Sequence, residues 1–217
     1  MNGMAGLSRI REPFNALSHV AGAGVVGIGA LVLTILAISS PVAAISFAIF
    51  GLGAVFMFTS SALYHWLRSE HQWLRRMDHA AIYVMIAASY TPIALLGLPK
   101  VTGIVVLALQ WGMALVGVIV SSTREKTPTA LRLTLYLFMG WMMVGLIPQL
   151  LATTSVATLS WIFAGGLFYT VGSVVYATKR PKLWPGKFGF HELWHVFVLG
   201  GALCHLVVMI TLFLQIR

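Results

Sequence analysis

Residues 103–120 read GIVVLALQWGMALVGVIV. No charge interrupts this run, and Gln110 is its one strongly polar side chain. A helix rising 1.5 Å per residue needs about 20 mostly apolar residues to cross the hydrocarbon core of a bilayer. A membrane-spanning strand would alternate apolar and polar side chains with a period of two, and these residues do not. The stretch therefore reads as a transmembrane α-helix. Working outward from it, similar apolar stretches occupy 17–38, 42–67, 79–98, 101–121, 131–151, 155–177 and 191–214. These seven spans take up most of the chain. They predict an all-α polytopic bundle, one membrane domain over 1–217, with no separate soluble domain. Composition agrees: 59% of residues are hydrophobic and 9% charged, against about 25% charged in soluble domains. Too little charge remains to cover a water-facing surface.

The connections are short. Ser39-Ser40-Pro41 and Leu98-Pro99-Lys100 are proline turns that stop one helix and restart the next. With seven spans, the cationic residues divide sharply between the two sides. Arg9, Arg11, Arg68, Arg75, Arg76, Arg124, Lys126, Arg132, Lys179, Arg180, Lys182 and Lys187 share one side, while Lys100 and Arg217 lie on the other. The positive-inside rule then predicts a cytoplasmic N-terminus and an external C-terminus. Topology and contact with anionic lipid account for the formal charge of +9, so nucleic-acid binding is not inferred. The first apolar run follows Arg9 and Arg11 as in a signal peptide, but it is longer than a signal h-region and six more runs follow; it reads as a retained span. The single cysteine, Cys204, can form neither an internal disulfide nor a thiolate metal site; it reads as a packing residue.

Ionisable groups inside spans are costly and are candidates for function. His19 lies near the start of span one, Ser61 and His65 near the end of span two, and Asp78 and His79 at the start of span three. His191, Glu192 and His195 open span seven, and His205 follows ten residues on. The alternation of spans puts His19, Ser61, His65, Asp78, His191 and His195 at the cytoplasmic ends of four helices. His191 and His195 are spaced i, i+4, so they share a helix face about 6 Å apart and can chelate one ion. His65 would complete a His₃ set, the ligand count of a catalytic zinc with one position left for water. Zinc can lower the pKa of such a water to about 7, and Asp78 could accept its proton while Ser61 holds the carboxylate or the water.

Each residue also has an alternative reading. An isolated H-x-x-x-H is common on helices. His65 could belong to an aromatic belt with Tyr64 and Trp66, and Asp78 could pair with Arg75 or Arg76. His79 is expected to face away from the site, His71 to be solvated in a loop, and Glu192 to be a first-turn acid favoured by the helix dipole. His205 is about 15 Å deeper than His195, too far to share its metal, and is expected to hydrogen-bond across helices. A haem site is disfavoured because axial ligands approach from opposite faces, whereas these histidines cluster on one side.

The ordered set Glu12-Pro13-x-Asn15-x-x-Ser18-His19, Ser61-x-x-x-His65, Asp78 and His191-x-x-x-His195 with His205 resembles the signature of the haemolysin III family. So do the strings SALYH at 61–65, SYTP at 89–92 and HELWHVFVLGG at 191–201. That family is grouped with the adiponectin and progestin receptors and with alkaline ceramidases. The resemblance runs from about Arg11 to the C-terminus. It implies seven helices with the N-terminus inside, and a multi-pass place in the cell (inner) membrane. It also implies a zinc ion near the cytoplasmic side on His65, His191 and His195, with Asp78 orienting the water and Ser61 beside it. The receptor relatives show ceramidase-like hydrolysis. The segment from His65 to Asp78 is shorter here than in the receptors, and no long N-terminal extension precedes span one, so receptor signalling is not carried over. The expectation is a zinc-dependent hydrolase acting on an amide or ester of a membrane lipid. The alternatives are a membrane-active haemolysin or channel, or a receptor-like protein, with structural zinc.

Overall fold

A computed structural model describes residues 10–67, 72–123, 127–185 and 188–217. Arg9, Arg68, His71, Arg124, Lys126 and Lys187, which entered the sequence reading, lie outside the described residues. The helices are α1 (Pro13–Leu36), α2 (Pro41–Trp66), α3 (Gln72–Leu96), α4 (Lys100–Thr123), α5 (Thr129–Trp141), α6 (Ile147–Thr153), α7 (Val156–Thr178) and α8 (Phe190–Gln215). A 3₁₀ turn over Met142–Leu146 joins α5 to α6, and the three together make one span, so among the described residues seven segments are long and apolar enough to cross a membrane.

Sequence chemistry accounts for where the helices begin. Pro13 and Pro41 occupy the first helical turn, where a missing N–H removes no intrahelical bond. The Glu192 carboxylate accepts a 2.8 Å hydrogen bond from the Gly189 N–H, which fixes the start of α8 just before His191. α3 begins at Gln72, seven residues earlier than its apolar run suggests. The stretch QWLRRM is too polar to count as a span, yet its residues are good helix formers. Asp78 and His79 thus sit almost two turns inside α3.

Polar side chains meet the backbone at internal breaks. Pro92 lies within α3, where its missing N–H leaves the Ala88 carbonyl without its helical donor, and Thr91 Oγ1 donates to the neighbouring Ala87 carbonyl at 3.0 Å. At the 3₁₀ turn, Tyr90 Oη donates to Gly140 O at 2.7 Å and accepts from Met143 N at 3.0 Å. Gln110 Nε2 donates to Met139 O at 2.9 Å. Lipid offers no hydrogen bonds, so a helix can break at this depth only where neighbouring helices supply them.

α3 is the most buried span, packed on α2, α4, α5 and α8, and α8 closes against α1 and α7. Small residues set the close crossings. A Cβ on Gly51 would come within 2.7 Å of the Ala30 side chain, so α1 and α2 touch where both residues are minimal. Apolar side chains such as Ile28, Leu31, Leu52 and Val101 face outward, as a lipid solvent allows. The start of α1, the end of α2, the starts of α3 and α5, the end of α4 and the start of α8 meet at one end of this bundle. Glu12 N donates to His65 O at 3.1 Å, and Arg76 Nη1 to Ser122 O at 3.0 Å.

Candidate metal centre

The backbone bond between Glu12 and His65 starts the construction of the site. The carbonyls in the last turn of α2 have no intrahelical partner. The segment entering α1 supplies one in Glu12 N and another in Arg11 N, which donates to Trp66 O at 3.4 Å. This pairing lays the Glu12 carboxylate on His65, whose Nδ1 lies 2.7 Å from Glu12 Oε2. Asn15 Nδ2 donates to the same oxygen at 2.8 Å, and Arg11 Nε to Oε1 at 3.1 Å. The hydrogen bond with His65 holds the Glu12 carboxyl down at about 2, with Asn15 adding to it and partial burial opposing both.

His191 and His195 project from the first two turns of α8 toward His65. The His65 ring centroid lies 5.1 Å from that of His191 and 4.6 Å from that of His195, and the two α8 imidazoles are 5.1 Å apart. Each of the three offers a nitrogen, and these nitrogens lie within 4.8 Å of one another. Tetrahedral zinc with bonds of 2.0–2.1 Å separates its nitrogen ligands by about 3.3 Å. Small side-chain rotations would bring the three onto one ion.

The surroundings fit a metal-binding role for these rings. Metal-bound histidines usually donate their other N–H to a carboxylate or a second acceptor, which fixes the tautomer. His65 does so through Nδ1 to Glu12, leaving Nε2 for a ligand bond. His195 Nδ1 lies 2.8 Å from His19 Nε2, leaving the His195 Nε2 equally open. His65, His195 and His19 are each almost fully buried.

Ser61, one turn before His65, is buried and lines the same cavity as the three histidines and Asp78. Its hydroxyl faces the Asp78 carboxyl. This cavity, of about 360 Å³, reaches the bundle end through Arg75, Arg76 and Arg132. Beneath it a narrower apolar cavity of about 90 Å³ descends along Met85, Ile86, Tyr90 and Ile93, and the two share Met57, Ile82, Tyr136, Trp194 and Val198.

Two expectations are corrected. His79 does not face away: it lines the larger cavity, and its Nδ1 accepts from Arg132 Nη1 at 2.8 Å. Arg132, in the first turn of α5, supplies the donor that holds its ring there. Among the described residues His205 bonds within its own helix and not across helices: its Nδ1 donates to Gly201 O at 3.0 Å, one turn back on α8. Its ring stacks on Tyr169 at 5.6 Å and packs where Gly165 leaves room, since a Cβ there would lie 2.8 Å from the imidazole. Glu192 is the first-turn acid expected, and Cys204 is buried with its thiol free.

Glu12, His19 and Arg132 were given no role in the site from sequence. For the first two a signal was present: Glu12, Asn15 and His19 are spaced i, i+3, i+7, one polar stripe at the start of an apolar helix. Arg132 was hidden by its place among the boundary cations.

The sequence profile of the family described as Haemolysin-III related matches residues 7–206. The "Hemolysin-3 homolog" of Bacillus subtilis (strain 168) is 36% identical over 197 residues, covering 88% of this chain and 89% of that protein. "Hemolysin-3" of Bacillus cereus is 30% identical over 196 residues, 88% and 86% of the two chains. The "Adiponectin receptor protein" of Drosophila melanogaster is 28% identical over 184 residues, 74% of this chain and 41% of that longer protein.

Proposed function

The chain belongs to the haemolysin-III related family, and on that premise we propose that it is a zinc-dependent hydrolase of a lipid amide or ester, working at the cytoplasmic side of the cell membrane. The observation that carries this reading is the convergence of His65, His191 and His195 in a cavity that also holds Asp78 and Ser61. A purely structural metal site needs no cavity beside it and no carboxylate left outside the ligand set.

His65, His191 and His195 would hold the ion, and Glu12 and His19 would fix the His65 and His195 rings. Zinc, when bound, supplies a Lewis acid and makes a water acidic near neutral pH. Asp78 accepts the proton that water gives up as it attacks the carbonyl, then delivers it to the departing nitrogen or oxygen. Ser61 steers the Asp78 carboxyl toward the reacting atoms. The apolar cavity below offers space for hydrocarbon, which favours a lipid over a soluble substrate. The cytoplasmic placement rests on the positive-inside rule.

The test combines metal analysis of purified protein with a hydrolysis screen over amide and ester lipids, on wild type, His195→Ala and Asp78→Asn. Turnover that follows zinc content and disappears in Asp78→Asn supports the reading. A wild-type protein that holds zinc, turns over none of these lipids and makes liposomes leak would replace it with a membrane-active protein carrying structural zinc.

A further inference from the structure

We propose that the wall of the larger cavity facing the histidine cluster is a phosphate-binding subsite, formed by Arg132, Arg76 and Ser121, which takes the phosphate of an anionic lipid headgroup. As a statement of substrate class this rests on the hydrolase reading; as a binding site it rests on the cavity alone.

Arg132 lies one turn into α5 and is only 8% exposed. Buried guanidinium groups are normally matched by a carboxylate, but among the described residues no carboxylate lies within ion-pair distance of Arg132. Its hydrogen-bond partner is the neutral His79 Nδ1, and it also faces the Tyr176 hydroxyl. A guanidinium has five N–H donors and accepts nothing, so several donors remain for a ligand. Arg76 is partly exposed and, among the described residues, also has no carboxylate within ion-pair distance. Its Nη1 donates to Ser122 O at 3.0 Å and its Nη2 reaches Gln72 Oε1 at 3.5 Å. Its Nε is buried without a partner. Ser121, buried at the end of α4, likewise has a hydroxyl without a partner. All three line the cavity that holds His65, His191 and His195.

Charge points the same way. Arg75, Arg76 and Arg132 line this cavity, and Asp78 is the one carboxylate among its described lining residues. Even with Arg75 left aside, Arg76 and Arg132 outnumber the single described carboxylate, and a divalent metal would add two further positive charges. In a partly desolvated cavity such an excess calls for an anionic ligand. Phosphate fits: guanidinium forks match its oxygens, and a hydroxyl can serve another. A scattered interfacial arginine, attracted to lipid by the positive-inside asymmetry, would keep its donors in water, whereas Arg132 is buried and Arg76 Nε is buried without a partner. The shared Trp194 and Tyr136 wall connects the subsite to the apolar cavity, so one molecule could place phosphate above and hydrocarbon below.

The test uses the full, zinc-loaded chain in uncharged maltoside micelles and phosphate-free buffer. The probes are dioleoyl phosphatidic acid, dioleoylglycerol and inorganic phosphate. Binding is read from tryptophan fluorescence and from the shift in melting temperature. Phosphatidic acid should bind at least tenfold more tightly than dioleoylglycerol. Arg132→Gln and Arg76→Gln should each weaken it about tenfold, and Ser121→Ala by less, while Arg180→Gln, at an exposed position at the same end of the bundle, changes it less than twofold. Should Arg132→Gln not fold, Arg76→Gln and Ser121→Ala still decide. Equal binding of phosphatidic acid and dioleoylglycerol, or an Arg180→Gln loss as large as that of Arg76→Gln, overturns the subsite. Inorganic phosphate binding as tightly as the lipid overturns the lipid source. Selective binding without any lipid turnover keeps the subsite and removes the hydrolase reading.

Discussion

Replacing Glu12 by Gln should weaken zinc binding about tenfold, and Glu12→Ala up to about a hundredfold, although neither change removes a proposed ligand. Glu12 Oε2 lies 2.7 Å from His65 Nδ1, at the short end for a charge-assisted bond. The carboxyl is brought from 4.5 to about 2, with the His65 bond as the largest cause. Taken whole, that displacement corresponds to about 3 kcal/mol in favour of the ionised form. A third of the side chain is open to solvent, so about half of this, 1.5 kcal/mol, is a fairer share for the charge, and 1.4 kcal/mol is a factor of ten. Gln keeps an oxygen that can accept from Nδ1–H and loses the charge. Ala loses the acceptor too, and the amide of Asn15 then has no carboxylate to bind. The range agrees with the tenfold to hundredfold usual for the outer partners of metal-bound histidines. Zinc affinity measured by competition with a chromophoric chelator reads the effect, and circular dichroism confirms that both variants fold. Two folded variants with wild-type affinity would show that the Glu12–His65 bond positions the chain and not the ligand.

Further outcomes follow from the same geometry. His191→Ala and His195→Ala should each lose the zinc, about one per chain in the wild type, because either removes one of three converging imidazoles; undiminished zinc by elemental analysis in both moves the site elsewhere. Asp78→Asn should keep zinc and lose about 10²–10⁴-fold in hydrolysis at equal metal content; loss of the metal would make Asp78 a ligand, and full activity would reduce it to a structural residue. His205→Ala should fold and retain zinc, because its ring bonds to Gly201 O and stacks on Tyr169 about 15 Å from His195; a folded variant without metal contradicts the ligand set. Reporter fusions should place the N-terminus in the cytoplasm and the C-terminus outside, and finding both on one side would refute seven spans.

The helices were legible in the sequence because lipid imposes length and apolarity together, and GIVVLALQWGMALVGVIV satisfies both without any partner. What hydropathy missed lay where polarity and helicity part company. QWLRRM at 72–77 is helical but not apolar, so α3 starts earlier than expected. The 3₁₀ turn at Met142–Leu146 is apolar throughout, and its break depends on Tyr90 and Gln110 arriving from other helices. Neither partner lies near the break in the chain, so no local pattern could announce it.

The histidine triad was legible for a different reason. His191 and His195 carry their spacing in the chain, and counting cations put His65 at the same depth before any packing was known. Glu12 and His19 could not be assigned by that route, because depth names the neighbourhood and not the contact. What joins Glu12 to His65 is a backbone bond from the entry of α1 to an unpaired carbonyl at the end of α2. The carboxylate behind His65 is thus delivered by the same contact that caps the helix carrying this candidate ligand. This coupling has a consequence for stability. A change that frays the end of α2 should loosen His65 and release Glu12 together, so the metal should protect the α1–α2 junction against unfolding more than it protects the distant α6–α7 end. Hydrogen exchange with and without zinc reads that difference: slowed exchange at the Arg11 and Glu12 amides, with no change near Thr154, is the expected pattern. Uniform protection along the chain would mean that the metal stabilises the bundle as a whole and that the junction has no special link to it.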